Sequence, residues 1–189
     1  MADRTDLHDP SVLKHSVLDF RQMSTFVQDP LVFERAEGVH YWDTQGKHYW
    51  DGLSGIFVAA VGHRNPRVIQ ALARQMEKLT FAPPLHGANA PAVAFCARLA
   101  ELAPGNLDTV KLLSSGSEAT ETAMKLARQY WKQSGAPTKW KVISRHWGYH
   151  GATMGAMAAT GTPARRAPFE PLPAGFVHIP TVHCYRCPH

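Results

Sequence analysis

The sequence predicts an α/β fold, a mostly parallel sheet with helices on both faces, preceded by a small antiparallel meander. Three observations carry this. From residue 65 onward, stretches with helical apolar spacing alternate with short β-rich runs, the order that parallel strands joined by crossover helices require. Between residues 31 and 51, three short alternating runs are separated by glycine-bearing turns, the pattern of a meander. The two stretches richest in polar chemistry, 114–121 and 145–153, each follow a short strand, where ligands sit in such sheets.

Taken in order, residues 1–29 are mixed and polar, with Phe20, Met23 and Phe26 as anchors of an N-terminal arm. Residues 31–35, 39–43 and 47–51 are the meander strands, broken by Gly38 and by Thr44-Gln45-Gly46; the Tyr-Trp-Asp echo at 41–43 and 49–51 reads as hairpin pairing. Residues 52–63 are apolar and small, so the backbone there can pass close to a neighbour or a ligand. Asn65-Pro66 opens a helix with Val68, Ile69, Leu72, Met76 and Leu79 on one face, and Pro83-Pro84 prevents its continuation. Pro91 begins the next helix, whose expected buried face is Val93, Phe95, Cys96, Leu99 and Leu102, and Pro104-Gly105 ends it. A strand at 110–113, a helix at 117–133 stopped by Gly135, a strand at 140–144, a helix from about Thr153 and a strand at 176–179 follow.

Composition narrows the function classes. Apolar content of 44% and charged content of 19% are those of a globular domain. No long uncharged apolar run supports a membrane span, and residues 1–6 lack the layout of a signal peptide, so a cytoplasmic protein is expected. The net charge of +5 comes from basic residues scattered along the chain, which does not make a nucleic-acid-binding stripe. Cys184-Tyr185-Arg186-Cys187, near His183 and His189, is half of a zinc signature with no second ligand pair, so no metal is expected. The stretch 52–63 nearly spells a hydrolase elbow, but Ile56 stands where the second glycine is needed.

Residues 114–121, Ser-Ser-Gly-Ser-Glu-Ala-Thr-Glu, form an anion cradle on physical grounds. A Ser/Gly turn lets backbone approach a ligand, and the first N–H groups of the following helix lack intrahelical acceptors at the positive end of its dipole. An ordinary capped helix start uses the same residues. Neither the Walker loop, which needs Lys after its last Gly, nor the three-glycine dinucleotide turn fits Gly116-Ser117.

The second stretch, Arg145-His146-Trp147-Gly148-Tyr149-His150-Gly151-Ala152-Thr153, makes the pattern specific. SGSEA before a helix, then YHG, a small residue and Thr after the next strand, resembles the class III pyridoxal-phosphate-dependent aminotransferases, and the likeness runs from about residue 41 to the end of the chain. The resemblance implies the fold type I architecture, with residues 1–60 as arm and small-domain meander and 61–189 as the first, incomplete part of the large cofactor-binding domain. It implies pyridoxal 5'-phosphate as cofactor, with Ser115 shaping the turn, Gly116 and Ser117 holding the phosphate, Tyr149 stacked on the ring and His150 completing the motif. His150 also reads as a hydrogen-bonding group behind the pocket. Phe57 and Leu85 are implied in the substrate pocket, although Phe57 equally suits core packing.

The Lys that forms the family's Schiff base is expected beyond residue 189, since Lys111, Lys125, Lys139 and Lys141 match no such motif. The catalytic residues are therefore unassigned, and the chain is expected to be the N-terminal half of an enzyme that alone is inactive. The implied reaction moves an amino group from an amine or ω-amino acid to a keto acid such as pyruvate, in a homodimer. Ornithine, aminobutyrate, diaminopelargonate-type and aminomutase activities stay open. The reading from a different class is a non-catalytic fragment that binds cofactor phosphate or a partner subunit.

Overall fold

A computed structural model describes residues 6–186. The chain divides into two compact units, Met1–Pro83 and Pro84–His189.

In the first unit the arm carries two helical turns, α1 (Pro10–Leu13), whose start is capped by Asp9, and α2 (Met23–Phe26). The meander forms as expected: β1 (Phe33–Glu37), β2 (His40–Asp43) and β3 (His48–Trp50) pair antiparallel in chain order, with a bulge between Phe33 and Arg35. The period-2 alternation sorts the side chains. His40, Trp42, His48 and Trp50 share one face, where His40 Nδ1 lies 2.7 Å from His48 Nε2 and the Arg35 guanidinium lies 3.6 Å over the Trp42 ring. On the other face the Tyr49 hydroxyl donates to Asp43 Oδ2 at 2.8 Å.

Asp43 also accepts from the Gln45 and Lys47 amides across the 43–47 turn. Burial pushes its carboxyl up, and the Tyr49, Lys47 and Gln45 hydrogen bonds together outweigh it, leaving the pKa below the usual value. After β3 comes α3 (Ser54–Phe57), a four-residue turn of unusual backbone, and then α4 (Pro66–Lys78), capped by the Asn65 side chain on the Arg67 N–H.

The second unit holds α5 (Ala90–Leu102), α6 (Gly116–Gln133), β4 (Val142–Arg145), α7 (Met154–Ala159), α8 (Pro163–Arg166) and β5 (Phe176–Ile179). β4 and β5 pair in parallel with α7 and α8 between them in sequence, the βαβ order anticipated from the alternation. Its small core gathers on α7, where Ala156, Ala158, Ala159 and Thr160 are buried beside Ser144 of β4.

Two expectations fail. Residues 110–113 form no strand, because a strand exists only through the ladder bonds of a neighbour and none of the described residues pairs with them. The apolar faces of α4 and α5 form, but the expected buried face of α5 is only partly covered: Cys96 and Leu99 are half-buried, with Cys96 Sγ 3.8 Å from the Val110 carbonyl, whereas Val93, Phe95 and Leu102 stay exposed. Helical periodicity fixes which side is apolar; burial needs a second layer.

Candidate cofactor and substrate site

The Ser/Gly turn does what its chemistry predicts. Ser115 is the N-cap of the 18-residue α6: its backbone is extended and its Oγ accepts the Glu118 N–H at 3.2 Å. Glu118 turns back along the chain and its Oε2 accepts the Ser114 N–H at 2.9 Å, a variant of the reciprocal cap. Among the described residues, no partner takes the N–H groups of Gly116 and Ser117. A Cβ on Gly116 would meet nothing within 4 Å, so open space faces the turn.

Ser117 joins the two motifs. Its Oγ accepts the Ala152 N–H at 3.0 Å, across 35 positions of sequence, which leaves its own proton for a second partner. Gly151 permits this approach. Its φ is +139°, and a Cβ there would lie 2.6 Å from Ser117 Oγ and 3.0 Å from Ser117 Cα.

Glu121, one turn further along α6, fixes the same segment from below. Its Oε1 accepts the Thr153 hydroxyl and the amides of Gly155 (3.0 Å) and Ala156 (3.3 Å), capping α7 with a carboxylate. The Thr153 hydrogen bond, joined by those two amides, holds the Glu121 carboxyl below its usual pKa against the opposing effect of burial.

Tyr149 projects from this tethered segment and is 53% exposed, with the Arg165 guanidinium 5.0 Å from its ring centroid. His150 is half-buried; its amide donates to Thr160 Oγ1 at 2.9 Å and its ring packs against Gly148. Phe57 lies in the first unit and Leu85 in the second, and both are exposed. Lys111, Lys125, Lys139 and Lys141 are all exposed, and the Lys139 ammonium sits 3.6 Å over the Trp131 ring.

The described residues contain no group of three or more His, Cys, Asp or Glu suited to a metal, and Cys187 and His189 lie outside them. No helix among the described residues is long and apolar enough to cross a membrane.

Glu121 was not legible as a site residue, although an acid one turn into a helix that opens on SGSEA was a usable signal. Asp51, read only as part of the Tyr-Trp-Asp echo, accepts the Gly55 N–H at 2.8 Å and lies 2.7 Å from His63 Nε2, a pairing that no local pattern marks.

The geometry defines an α/β domain with a helix N-terminus open to an anion and an aromatic side chain on a segment tied to that helix. The pattern of the family Aminotransferase class-III matches residues 23–187, and the chain belongs to the class III aminotransferase family. A protein named probable aminotransferase from Mycobacterium tuberculosis is 45% identical over 171 residues, covering 90% of this chain and 36% of the relative.

Among solved structures, an (S)-enantioselective omega-transaminase from Thermomicrobium roseum superposes with a TM-score of 0.89 at 40% identity over 93% of this chain and 40% of the other. The omega transaminase from Pseudomonas jessenii, solved in complex with PMP, gives 0.90 at 32% identity over 95% of this chain and 40% of its own. The chain thus has the fold type I architecture of these transaminases and spans less than half the length of the relatives it matches.

Proposed function

We propose that residues 1–189 supply the phosphate- and ring-binding half of a pyridoxal-phosphate-dependent aminotransferase, which moves an amino group from an amine or ω-amino acid to a keto acid such as pyruvate. The observation that carries this is the Ser117–Ala152 hydrogen bond, which holds the SGSEA helix start and the Tyr149 segment at one place. The residues present fit the cofactor. Gly116 and Ser117 offer two N–H donors and a hydroxyl at the positive end of an 18-residue helix, facing open space that suits a phosphate. Tyr149, on a segment tied to α6 through Ala152 and with the Arg165 guanidinium beside its ring, offers a ring for stacking.

When bound, the cofactor supplies an electron sink for the carbon that loses its proton. The chain's own residues bind and orient. Ser115 sets the turn through its cap, and Glu118 and Glu121 brace the flanking backbone. The His150 amide, bonded to Thr160, fixes the direction in which Tyr149 leaves the loop. Phe57 and Leu85 are assigned to the substrate pocket as apolar surface. The lysines at 111, 125, 139 and 141 match no Schiff-base motif, and the Lys that bonds the cofactor is assigned outside residues 1–189. Residues 1–60 act as arm and small-domain meander, and 61–189 as the start of the large domain.

The working form is taken to be a cytoplasmic homodimer, the assembly that the family resemblance implies. The test is alanine formation: the full-length protein, loaded with pyridoxal phosphate and given 1-phenylethylamine or β-alanine with pyruvate, forms alanine in proportion to donor consumed. No alanine with any primary amine refutes the proposal.

A further inference from the structure

β2 and β3 bring two imidazoles together on one face of the meander. In the register His40 lies opposite Trp50 and Trp42 opposite His48, so the two His occupy one diagonal of a four-residue block. Their ring centroids are 4.6 Å apart, with His40 Nδ1 2.7 Å from His48 Nε2. Trp50 packs on His40 at 4.4 Å and Trp42 on His48 at 5.1 Å, which restrains both rings before anything binds.

His48 is exposed and His40 half-buried. A hydrogen bond at such a place competes with water and adds little to stability. What the pair offers is two neutral nitrogen ligands within reach of one metal ion.

The spacing selects the metal. Nitrogens about 2.0 Å from a metal are about 2.8 Å apart at a right angle and about 3.3 Å apart at the tetrahedral angle. The observed 2.7 Å is within about 0.1 Å of a square-planar pair and about 0.6 Å short of a tetrahedral one. Square-planar nitrogen sites suit Cu²⁺ and Ni²⁺, and Cu²⁺ binds such ligands more tightly than its first-row neighbours. The N–H between the rings moves to the far nitrogen of its own imidazole, so both facing nitrogens bind as neutral ligands and no proton leaves. Glu37, opposite His40 in the register, brings a carboxylate to the same face. Arg35 and Arg64 reach it only at 3.7 and 3.8 Å, so it can turn towards a bound cation. Lys47 points to the other face, 5.1 Å from the Tyr49 ring centroid.

We propose that His40 and His48 form a two-ligand clip for a square-planar divalent metal ion, Cu²⁺ before Ni²⁺, which staples β2 to β3 with water at the remaining positions. The clip is independent of the aminotransferase reading above.

The test uses the tag-free full-length protein, gel-filtered to remove loose cofactor, with CuCl2 as the probe. One equivalent gives an axial EPR spectrum with splitting from two imidazole nitrogens, and it quenches Trp fluorescence saturably because Trp42 and Trp50 sit against the ligands. NiCl2 and ZnCl2 bind at least tenfold more weakly. His40→Gln and His48→Gln each weaken Cu²⁺ binding at least tenfold, whereas His15→Gln, at an exposed position in the arm, leaves it unchanged. Amide exchange over residues 40–50 slows at least threefold when Cu²⁺ is bound.

Unsaturable quenching or the spectrum of hydrated Cu²⁺ overturns the proposal. So does full affinity in His48→Gln, which marks an adventitious ion only. Zinc binding as tight as copper overturns the square-planar assignment, and unchanged exchange overturns the staple. The nitrogen count is read on the wild-type protein, so it decides even where a variant fails to fold.

Discussion

Replacing Gly151 with Ala separates the two halves of the proposed cofactor site. A Cβ on Gly151 lies 2.6 Å from Ser117 Oγ, 2.7 Å from Ala156 Cβ and 3.0 Å from Ser117 Cα. Carbon contacts relax at about 3.5–4.0 Å, so the start of α6 and the loop before α7 must part by roughly 1 Å. Overpacking of this kind costs about 1–3 kcal/mol. A φ of +139° on a residue with a side chain adds about 1–3 kcal/mol, giving a destabilisation of about 2–6 kcal/mol in all.

The same parting stretches the Ser117–Ala152 hydrogen bond, which aligns the phosphate cradle with Tyr149. A misplacement of about 1 Å between binding groups costs on the order of a hundredfold in turnover. The assay is urea unfolding of the full-length protein, with pyridoxal phosphate affinity measured alongside. Gly151→Ala lowers the midpoint and weakens cofactor binding at least tenfold. A variant within 0.5 kcal/mol of wild type and twofold in affinity refutes the claim that close approach at Gly151 locks the site; that limit is roughly the scatter of neutral surface substitutions.

Gly116→Asp projects a carboxylate into the open space where the phosphate is proposed to sit, and at least a tenfold loss of cofactor affinity with an unchanged unfolding midpoint is expected by fluorescence titration. Tyr149→Ala removes the stacking ring, which at about 0.5–1.5 kcal/mol predicts up to roughly tenfold faster cofactor loss on dialysis with the fold intact. Asp51 and Glu121 have folded pKa values below their ordinary 3.8 and 4.5, so their stabilisation is present above those values and is lost as pH falls through the depressed ones. Thermal melts of the full-length protein should therefore drop below about pH 4.5, with Glu121→Gln flattening part of that acid limb; an identical limb in the variant contradicts the Glu121 assignment.

Much of this was legible before any coordinates. The helices at 65, 91 and 117 could be read because capping side chains and prolines act locally, and Asn65, Asn89 and Ser115 each cap the helix that follows. The meander could be read because alternation and turn residues lie next to one another in sequence. The strand at 110–113 could not, since apolar composition says nothing about whether a neighbour supplies the ladder. Nor could the left-handed turn of α3: Ser54, Ile56 and Phe57 stand at φ > 0 without a preference for it, and the cause is Asp51 and His63, side chains that converge only in the fold. The family resemblance implies Ser117 as a phosphate ligand, but its grip on Ala152 spans 35 residues, beyond the reach of any local pattern.

The central claim is that a cofactor phosphate sits on the N–H groups of Gly116 and Ser117 with its ring against Tyr149. A crystal structure of the full-length protein grown with pyridoxal phosphate tests it most directly. The account predicts phosphate oxygens at about 2.7–3.2 Å from both amide nitrogens, the usual N–H to oxygen range, and the Tyr149 ring stacked on the cofactor. A phosphate bound away from the start of α6, or a ring out of reach of Tyr149, contradicts it.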